Sequence, residues 1–362
     1  MERINIVGCP LGEVKTHLRG YGSIFIIHDR NVGGIVERLD IEAKGIFPIE
    51  ATEERKTLST LLEIEKWLLE EGADREAFVL GVGGGITTDI AGFAASVYKR
   101  GVRFGFVPTT LLSQVDAAIG GKNGVNLDSY KNIIGVIRQP QATFICPEVL
   151  ETLPYPQILS GASELLKTFI INNKDNEYER AVNMLGNIHR QALAGAADTA
   201  VREYSGTLRE LIASAAQVKA GIAGRDPDER GERRLLNLGH TFAHAIETLC
   251  RKAAETAVKE GAPAEKFDIT HGEAVAIGIV LAARLAERFS DRAEKGLADA
   301  LEADFRACGL PVDCPFGMDE MAPVMTKDKK AEGGIVHFVL PWRIGRVTTE
   351  DISCSEAVEL MK

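Results

Sequence analysis

The stretch Ala77-Phe78-Val79-Leu80-Gly81-Val82 carries no charge and runs straight into Gly83-Gly84-Gly85. An apolar run of this length that ends in glycines reads as a strand buried on both faces, turning at once into the helix opened by Ile86-Thr87-Thr88-Asp89. Similar short runs stand at Ser23 to Asp29, at Phe104 to Val107 before Pro108, and at Thr143 to Cys146 before Pro147. Between the first of these and Ala77, the segment Thr57 to Glu70 has helical periodicity. Strand alternating with helix predicts a mainly parallel, Rossmann-like sheet with crossover helices.

The pattern changes near Tyr155. Apolar residues then recur at helical spacing over Ala162 to Ile171, Tyr178 to Met184, Thr199 to Ala223, Leu235 to Ala254, Gly272 to Phe289 and Gly296 to Cys308, all rich in Ala and Leu. The reading is an α/β domain over residues 1–155 followed by an all-α domain over residues 156–362. Pro154 and Pro156 mark the joint, because proline is excluded from helix interiors and central strands. The charged, Ala-rich stretch from Arg251 to Thr270, interrupted by Gly261 and Pro263, reads as a surface excursion. A chain of 362 residues is comfortable as two domains.

Composition excludes several classes of function. The formal net charge of −10, with no long basic run, argues against nucleic acid or an anionic membrane as partner. No segment approaches the roughly 18 consecutive apolar residues of a membrane span, and the opening Met1 to Val7 is too short and polar for a signal peptide. The expectation is a cytoplasmic protein. Six cysteines, none in a CxxC pair, read as reduced small hydrophobes.

Chemistry concentrates in a few stretches. Glycines followed by a helix N-terminus suit a phosphate, since backbone N–H groups can approach it closely. Thr109-Thr110, Asp116, Gly120-Gly121-Lys122 and Lys131-Asn132 add hydroxyls, a carboxylate and cations suited to ribose and phosphate. Of the seven histidines, three lie in Leu238-Gly239-His240-Thr241-Phe242-Ala243-His244 and His271-Gly272-Glu273. His240 and His244 are four apart on one helix face and can reach a common metal ion or phosphate. Glu164, three residues before Lys167 in an apolar helix, is the natural third ligand beside His240 and His271. Lys219 and Arg233 offer further cations for an anion.

Taken in order, Gly83-Gly84-Gly85 through Asp89, Lys99-Arg100-Gly101, Pro108 to Leu112, Val115-Asp116, Gly120-Gly121-Lys122, Glu164 with Lys167, Asn237-Leu238-Gly239-His240 with His244, His271-Gly272-Glu273 and Asp328-Lys329-Lys330 resemble the 3-dehydroquinate synthase family. The resemblance runs from about Asp29 to Gly345. It implies an N-terminal NAD-binding α/β domain, a helical metal-binding domain and a site in the cleft between them. It further implies that Asp29, Asn31, Glu53, Lys56, Gly84, Gly85, Asp89, Thr109, Thr110, Lys131 and Thr152 contact NAD. Glu164, His240 and His271 would hold zinc, with cobalt as an alternative. Arg100, Asp116, Lys122, Asn132, Lys167, Lys219, Arg233, Asn237, His244 and one of Lys329 and Lys330 would face a sugar-phosphate substrate. On this reading His244 passes from the metal to the substrate.

The implied reaction converts 3-deoxy-D-arabino-heptulosonate 7-phosphate to 3-dehydroquinate and phosphate. That step belongs to the shikimate pathway, toward chorismate and the aromatic amino acids, and the family works as a homodimer. Sister cyclases making 2-deoxy-scyllo-inosose or 2-epi-5-epi-valiolone share the pattern, but Lys219, Arg233 and Asn237 together favour a substrate bearing a carboxylate. A metal-dependent polyol dehydrogenase and a non-catalytic NAD- or metal-binding protein are the remaining readings. Three departures stand out: the stretch between His240 and His271 is longer than is usual, Thr52 replaces a common glycine before Glu53, and Ala117 replaces a common serine.

Overall fold

The computed structural model describes residues 4–128, 130–264, 267–326, 331–332 and 335–362, so Lys329 and Lys330 lie outside the described residues. The chain separates into two compact units, Met1–Ile158 with Val201–Pro227, and Leu159–Ala200 with Asp228–Lys362.

The first unit is built on strands β1 (Ile6–Gly8), β2 (Ile24–Asp29), β3 (Gly45–Ile49), β4 (Phe78–Gly83), β5 (Arg103–Pro108) and β8 (Thr143–Ile145), with a hairpin of β6 (Lys122–Leu127) and β7 (Tyr130–Ile137) set apart from them. The six strands form one sheet in the order β1-β8-β5-β4-β2-β3, and every pairing in it is parallel. As the unbroken apolar run requires, every residue of β4 is buried. Phe25, Ile27, Val79, Phe104 and Phe106 form the core with Ile64 and Leu68 of the helix Leu58–Glu70 and with Ile90 and Ala94 of the helix Gly85–Val97. From β2 the chain steps outward to β3, then returns to β4 and continues the opposite way to β5 and β8. The reversal falls between the neighbours β2 and β4, and in open α/β sheets the crevice beyond the strand C-termini at such a point is where ligands bind.

Sequence periodicity located the helix Leu58–Glu70, where the Thr57 hydroxyl accepts from the Thr60 N–H as a cap. It missed β1, β3 and the hairpin. Each of these is short or alternates weakly, and Gly45 to Ile49 carries a proline. Thr52 has φ −113° and ψ 158°, an extended conformation open to any residue, so replacing glycine there costs the backbone nothing.

The second unit is mostly helical: Glu177–Leu193, His240–Lys259, His271–Phe289, Leu297–Ala307, Met318–Met325 and Cys354–Met361. Expecting it to be all-α was incorrect. A three-stranded antiparallel sheet of β9 (Ala331–Glu332), β10 (Ile335–Arg343) and β11 (Arg346–Ser353) lies near its end. The run Val336-His337-Phe338-Val339-Leu340 is β-branched and aromatic, and that composition prefers a pleated surface.

Three further sequence boundaries shift. The helix Tyr155–Ile171 starts seven residues before Ala162 and takes Pro156 into its first turn, where a missing N–H costs nothing; the two units divide within it, after Ile158. The helix Ser205–Arg225, read as part of the C-terminal domain, belongs to the first unit and packs on Ser113–Ala117, Pro147–Thr152 and β1. The helix from His240 continues through the charged stretch to Lys259, because Ala, Glu and Lys are strong helix formers. That continuation absorbs much of the extra length between His240 and His271.

Two glycines let helices of the second unit meet backbone to backbone. A Cβ on Gly278 would lie 2.2 Å from the Gly239 carbonyl oxygen, and one on Gly272 would lie 2.0 Å from that of Ser160. His271–Phe289 is thereby held against both the start of the His240 helix and the helix carrying Glu164.

Candidate active site

Those close approaches bring three side chains together. Glu164 is fully buried, and neither carboxylate oxygen makes a well-directed hydrogen bond. The His240 Nε2 stands 3.8 Å and the His271 Nε2 3.6 Å from its Oε1. Among the described residues, Glu164, His240 and His271 form a group whose ligand atoms all lie within 4.8 Å of one another.

Both imidazoles have their other nitrogen occupied. The His240 Nδ1–H donates to the Leu238 carbonyl at 3.2 Å, and the His271 Nδ1–H donates to the Glu247 carboxylate at 3.3 Å. In the neutral tautomer that these bonds select, each Nε2 carries its lone pair on the side that faces Glu164. Lys167 meets the carboxylate from the Oε2 side, while Oε1 is turned toward the two imidazoles, where a buried carboxylate oxygen is costly to leave without a further partner. Two neutral imidazoles and one carboxylate are a three-ligand set for a divalent transition metal with a position left open, so the residues fit such an ion. Burial favours the neutral His271 ring, but the Glu247 carboxylate, with Glu164 beyond it, more than reverses this and holds its pKa above the ordinary value.

His244 does not join the group. Its ring stands edge-on to that of His240 at 5.6 Å between centroids, while the His271 ring reaches in from the neighbouring helix. Spacing of four put two histidines on one face, but a third from a second helix takes the place beside Glu164.

Lys167 and Glu164 form an ion pair at 1% and 0% side-chain exposure, which excludes a solvated surface pair. Arg233 is also buried, at 3%. Asn237 donates through Nδ2 to the Glu229 carboxylate at 2.6 Å. These groups belong to the second unit.

In the first unit, residues assigned to the dinucleotide gather beyond the C-terminal ends of the strands. Asp29 ends β2 and accepts from the Asn31 N–H at 2.9 Å; Gly84 and Gly85 follow β4, and Thr109 and Thr110 follow β5. The buried Lys56 donates to Asp89 at 2.6 Å and to the Asn132 side-chain oxygen at 2.5 Å. Burial pushes the Asp89 carboxyl up to about 6 even though Lys56 opposes it. Lys219 pairs with Asp116 at 2.5 Å. Glu53 is joined to the hairpin by Asn126, whose Nδ2 donates to its carboxylate at 2.8 Å while its Oδ1 accepts from the Asn132 N–H at 2.9 Å.

Other assigned residues are less gathered. Arg100 is exposed just before β5, at the N-terminal end of the strands, opposite the end that Gly84 and Thr109 occupy. Lys122 is exposed at the start of β6, paired with Ile137 at the end of the hairpin away from its turn. Lys131 is exposed beside Asn132, and Thr152 is exposed at the end of the turn Pro147–Thr152. Sequence reasoning gave no function to Glu247, Asn126 or Glu229. Only Glu247 had a signal, seven residues after His240 on the same helix face.

Residues 46–160 match the family model described as 3-dehydroquinate synthase N-terminal, and residues 161–331 match that described as 3-dehydroquinate synthase C-terminal. A curated 3-dehydroquinate synthase of Pyrococcus abyssi (strain GE5 / Orsay) is 37% identical over 355 residues, covering 96% of this chain and 96% of that protein. The solved structure of ValA (2-epi-5-epi-valiolone synthase) from Streptomyces hygroscopicus subsp. jinggangensis 5008, with NAD+ and Zn2+ bound, has a TM-score of 0.78 at 25% identity, covering 100% of this chain and 96% of that one. A 2-deoxy-scyllo-inosose synthase complexed with carbaglucose-6-phosphate, NAD+ and Co2+ shares the fold at a TM-score of 0.81 and 23% identity, covering 99% and 98%. With both halves matched in order and the ligand group built from the residues that the motifs predict, the chain belongs to the 3-dehydroquinate synthase family.

Proposed function

We propose that this protein is a 3-dehydroquinate synthase that converts 3-deoxy-D-arabino-heptulosonate 7-phosphate to 3-dehydroquinate and phosphate, with NAD and zinc as resident cofactors. The observation that carries the reading is the buried Glu164 carboxylate faced by two imidazole Nε2 atoms whose Nδ1 protons are already engaged. Glu164, His240 and His271 would hold the metal. Asp29, Asn31, Glu53, Lys56, Gly84, Gly85, Asp89, Thr109 and Thr110, at the strand C-termini of an open parallel sheet and around its switch point, would hold the dinucleotide.

Held by these residues, zinc would supply Lewis acidity toward the substrate's alcohol and ketone oxygens, and NAD would supply a hydride acceptor that is regenerated within the turnover. The chain's own residues hold the anions. Lys167 and Arg233 are nearly fully buried, and a desolvated cation attracts carboxylate or phosphate far more strongly than a surface one. Lys219 is kept in place by Asp116, and Asn237 by Glu229. In a chain of net charge −10 such cations serve an anionic substrate, for which a simple polyol dehydrogenase has no need. Phosphate would leave with its bonding electron pair as the proton on the carbon beside the transient ketone passes to an oxygen of that same phosphate, and these cations would stabilise the charge that accumulates on it. A cytoplasmic homodimer is part of the same proposal.

The deciding experiment supplies purified protein with zinc, substoichiometric NAD and the heptulosonate phosphate. Many equivalents of phosphate should appear per NAD, with no build-up of NADH. Stoichiometric NADH without phosphate release would establish a dehydrogenase. Release from glucose 6-phosphate alone would establish a sister cyclase.

A further inference from the structure

We propose that Glu247 is a positioning residue of the metal centre, fixing the tautomer and ring angle of His271 through its Nδ1–H. The proposal rests on the reading of Glu164, His240 and His271 as metal ligands.

The three ligands are not equally held. Glu164 is fully enclosed and the His240 side chain is 13% exposed, whereas that of His271 is 36% exposed. The anchor of His240 is the carbonyl of Leu238, two residues away on backbone that the fold already fixes. His271 is the first residue of its helix, and the capping box beside it, Thr270 with Glu273, sets where the helix begins. That box fixes backbone and leaves the torsions of the His271 side chain undetermined. The anchor shown for the ring is the Glu247 carboxylate, 24 residues earlier in sequence, at 3.3 Å from Nδ1. Glu247 lies two turns after His240 on the same helix face, so one helix supplies a ligand and the group that orients another. A carboxylate on Nδ1–H also makes Nε2 a stronger donor, and losing such a partner typically weakens metal binding about 10–100-fold.

The test titrates zinc into the metal-free full-length protein against a chromophoric chelator, for the unsubstituted chain, Glu247→Ala, Glu247→Gln and His271→Ala, and records the visible spectrum of each protein loaded with cobalt. Glu247→Ala should raise the zinc Kd by about 10–100-fold and shift the cobalt bands. Glu247→Gln, whose amide oxygen still accepts from Nδ1–H without the charge, should fall between it and the unsubstituted chain, and carries the test if Glu247→Ala fails to fold. A merely structural role would lower Tm and leave both the Kd order and the cobalt bands alone. Unchanged zinc affinity and an unchanged cobalt spectrum in both Glu247 variants would overturn the proposal while leaving the metal centre standing. Loss of zinc in Glu247→Gln as complete as in His271→Ala would make Glu247 a ligand, contrary to the proposal. Failure of the unsubstituted chain to bind zinc would remove the metal-centre reading and this proposal together.

Discussion

A carboxylate with no exposed surface and no well-directed hydrogen bond is the residue around which the second unit's chemistry is arranged. Deleting any one of three ligands leaves an incomplete coordination shell, so Glu164→Ala, His240→Ala and His271→Ala should each be isolated without zinc. His244→Ala should retain it, and metal analysis of the four purified proteins decides. Lys167 is the other half of the arrangement. Removing one partner of a buried ion pair costs roughly 3–5 kcal/mol, so Lys167→Ala should lower the stability of the metal-free protein by about that much. Added zinc should recover part of the loss, because the ion replaces the missing positive charge beside Glu164; thermal melts with and without zinc measure both. At this scale the sequence was only partly informative: spacing paired His240 with His244, and it took the ordered motifs of the family to put His271 beside Glu164 and His240. It was silent on Asn126 and Glu229, because their hydrogen bonds depend on backbone turns that no spacing encodes.

The helices His240–Lys259 and His271–Phe289 explain why the ligands converge. Periodicity located both, but not their separation, which depends on what faces Gly278. Gly278→Ala places a methyl group 2.2 Å from the Gly239 carbonyl oxygen, and neither backbone can yield without moving His240. The expected result is a loss of about 1–3 kcal/mol in stability together with weaker zinc binding; normal zinc affinity would show that the helix approach does not set the ligand geometry. The helix Leu58–Glu70 carries a different strain. Glu65 is partly buried on it, and burial pushes its carboxyl up from 4.5 to about 7. Because the folded pKa exceeds the unfolded one, the native state holds a proton that the unfolded chain has lost, and stability falls as pH rises from about 4.5 to about 7. Glu65→Gln should therefore gain over the unsubstituted protein across that window by on the order of 2 kcal/mol, discounted for partial exposure, and the gain should level off above it. Parallel denaturation curves at low and neutral pH check the sign.

At the scale of the whole chain, the change of pattern near Tyr155 located the first crossing between the units, and nothing in the sequence marked the return. The chain crosses three times, after Ile158, Ala200 and Pro227. A helix reads the same whichever body it covers, so periodicity could not assign Ser205–Arg225 to the first unit. That helix buries Leu208, Leu211, Ile212 and Ile222 and brings Lys219 to Asp116. At about 1.5–3 kcal/mol for each large apolar side chain, these four represent roughly 6–12 kcal/mol, which is comparable to the 5–15 kcal/mol that holds an ordinary domain folded. A fragment ending at residue 155, where the change of periodicity and the two prolines place the boundary, therefore leaves the segments Ser113–Ala117 and Pro147–Thr152 without the helix that packs on them. It should show no cooperative thermal transition and no measurable NAD binding, whereas the intact chain should show both. A sharp melt, with NAD affinity in the fragment within a few-fold of that of the intact chain, would mean that the α/β sheet folds without the returning helix and that the boundary drawn from the sequence pattern is the physical one.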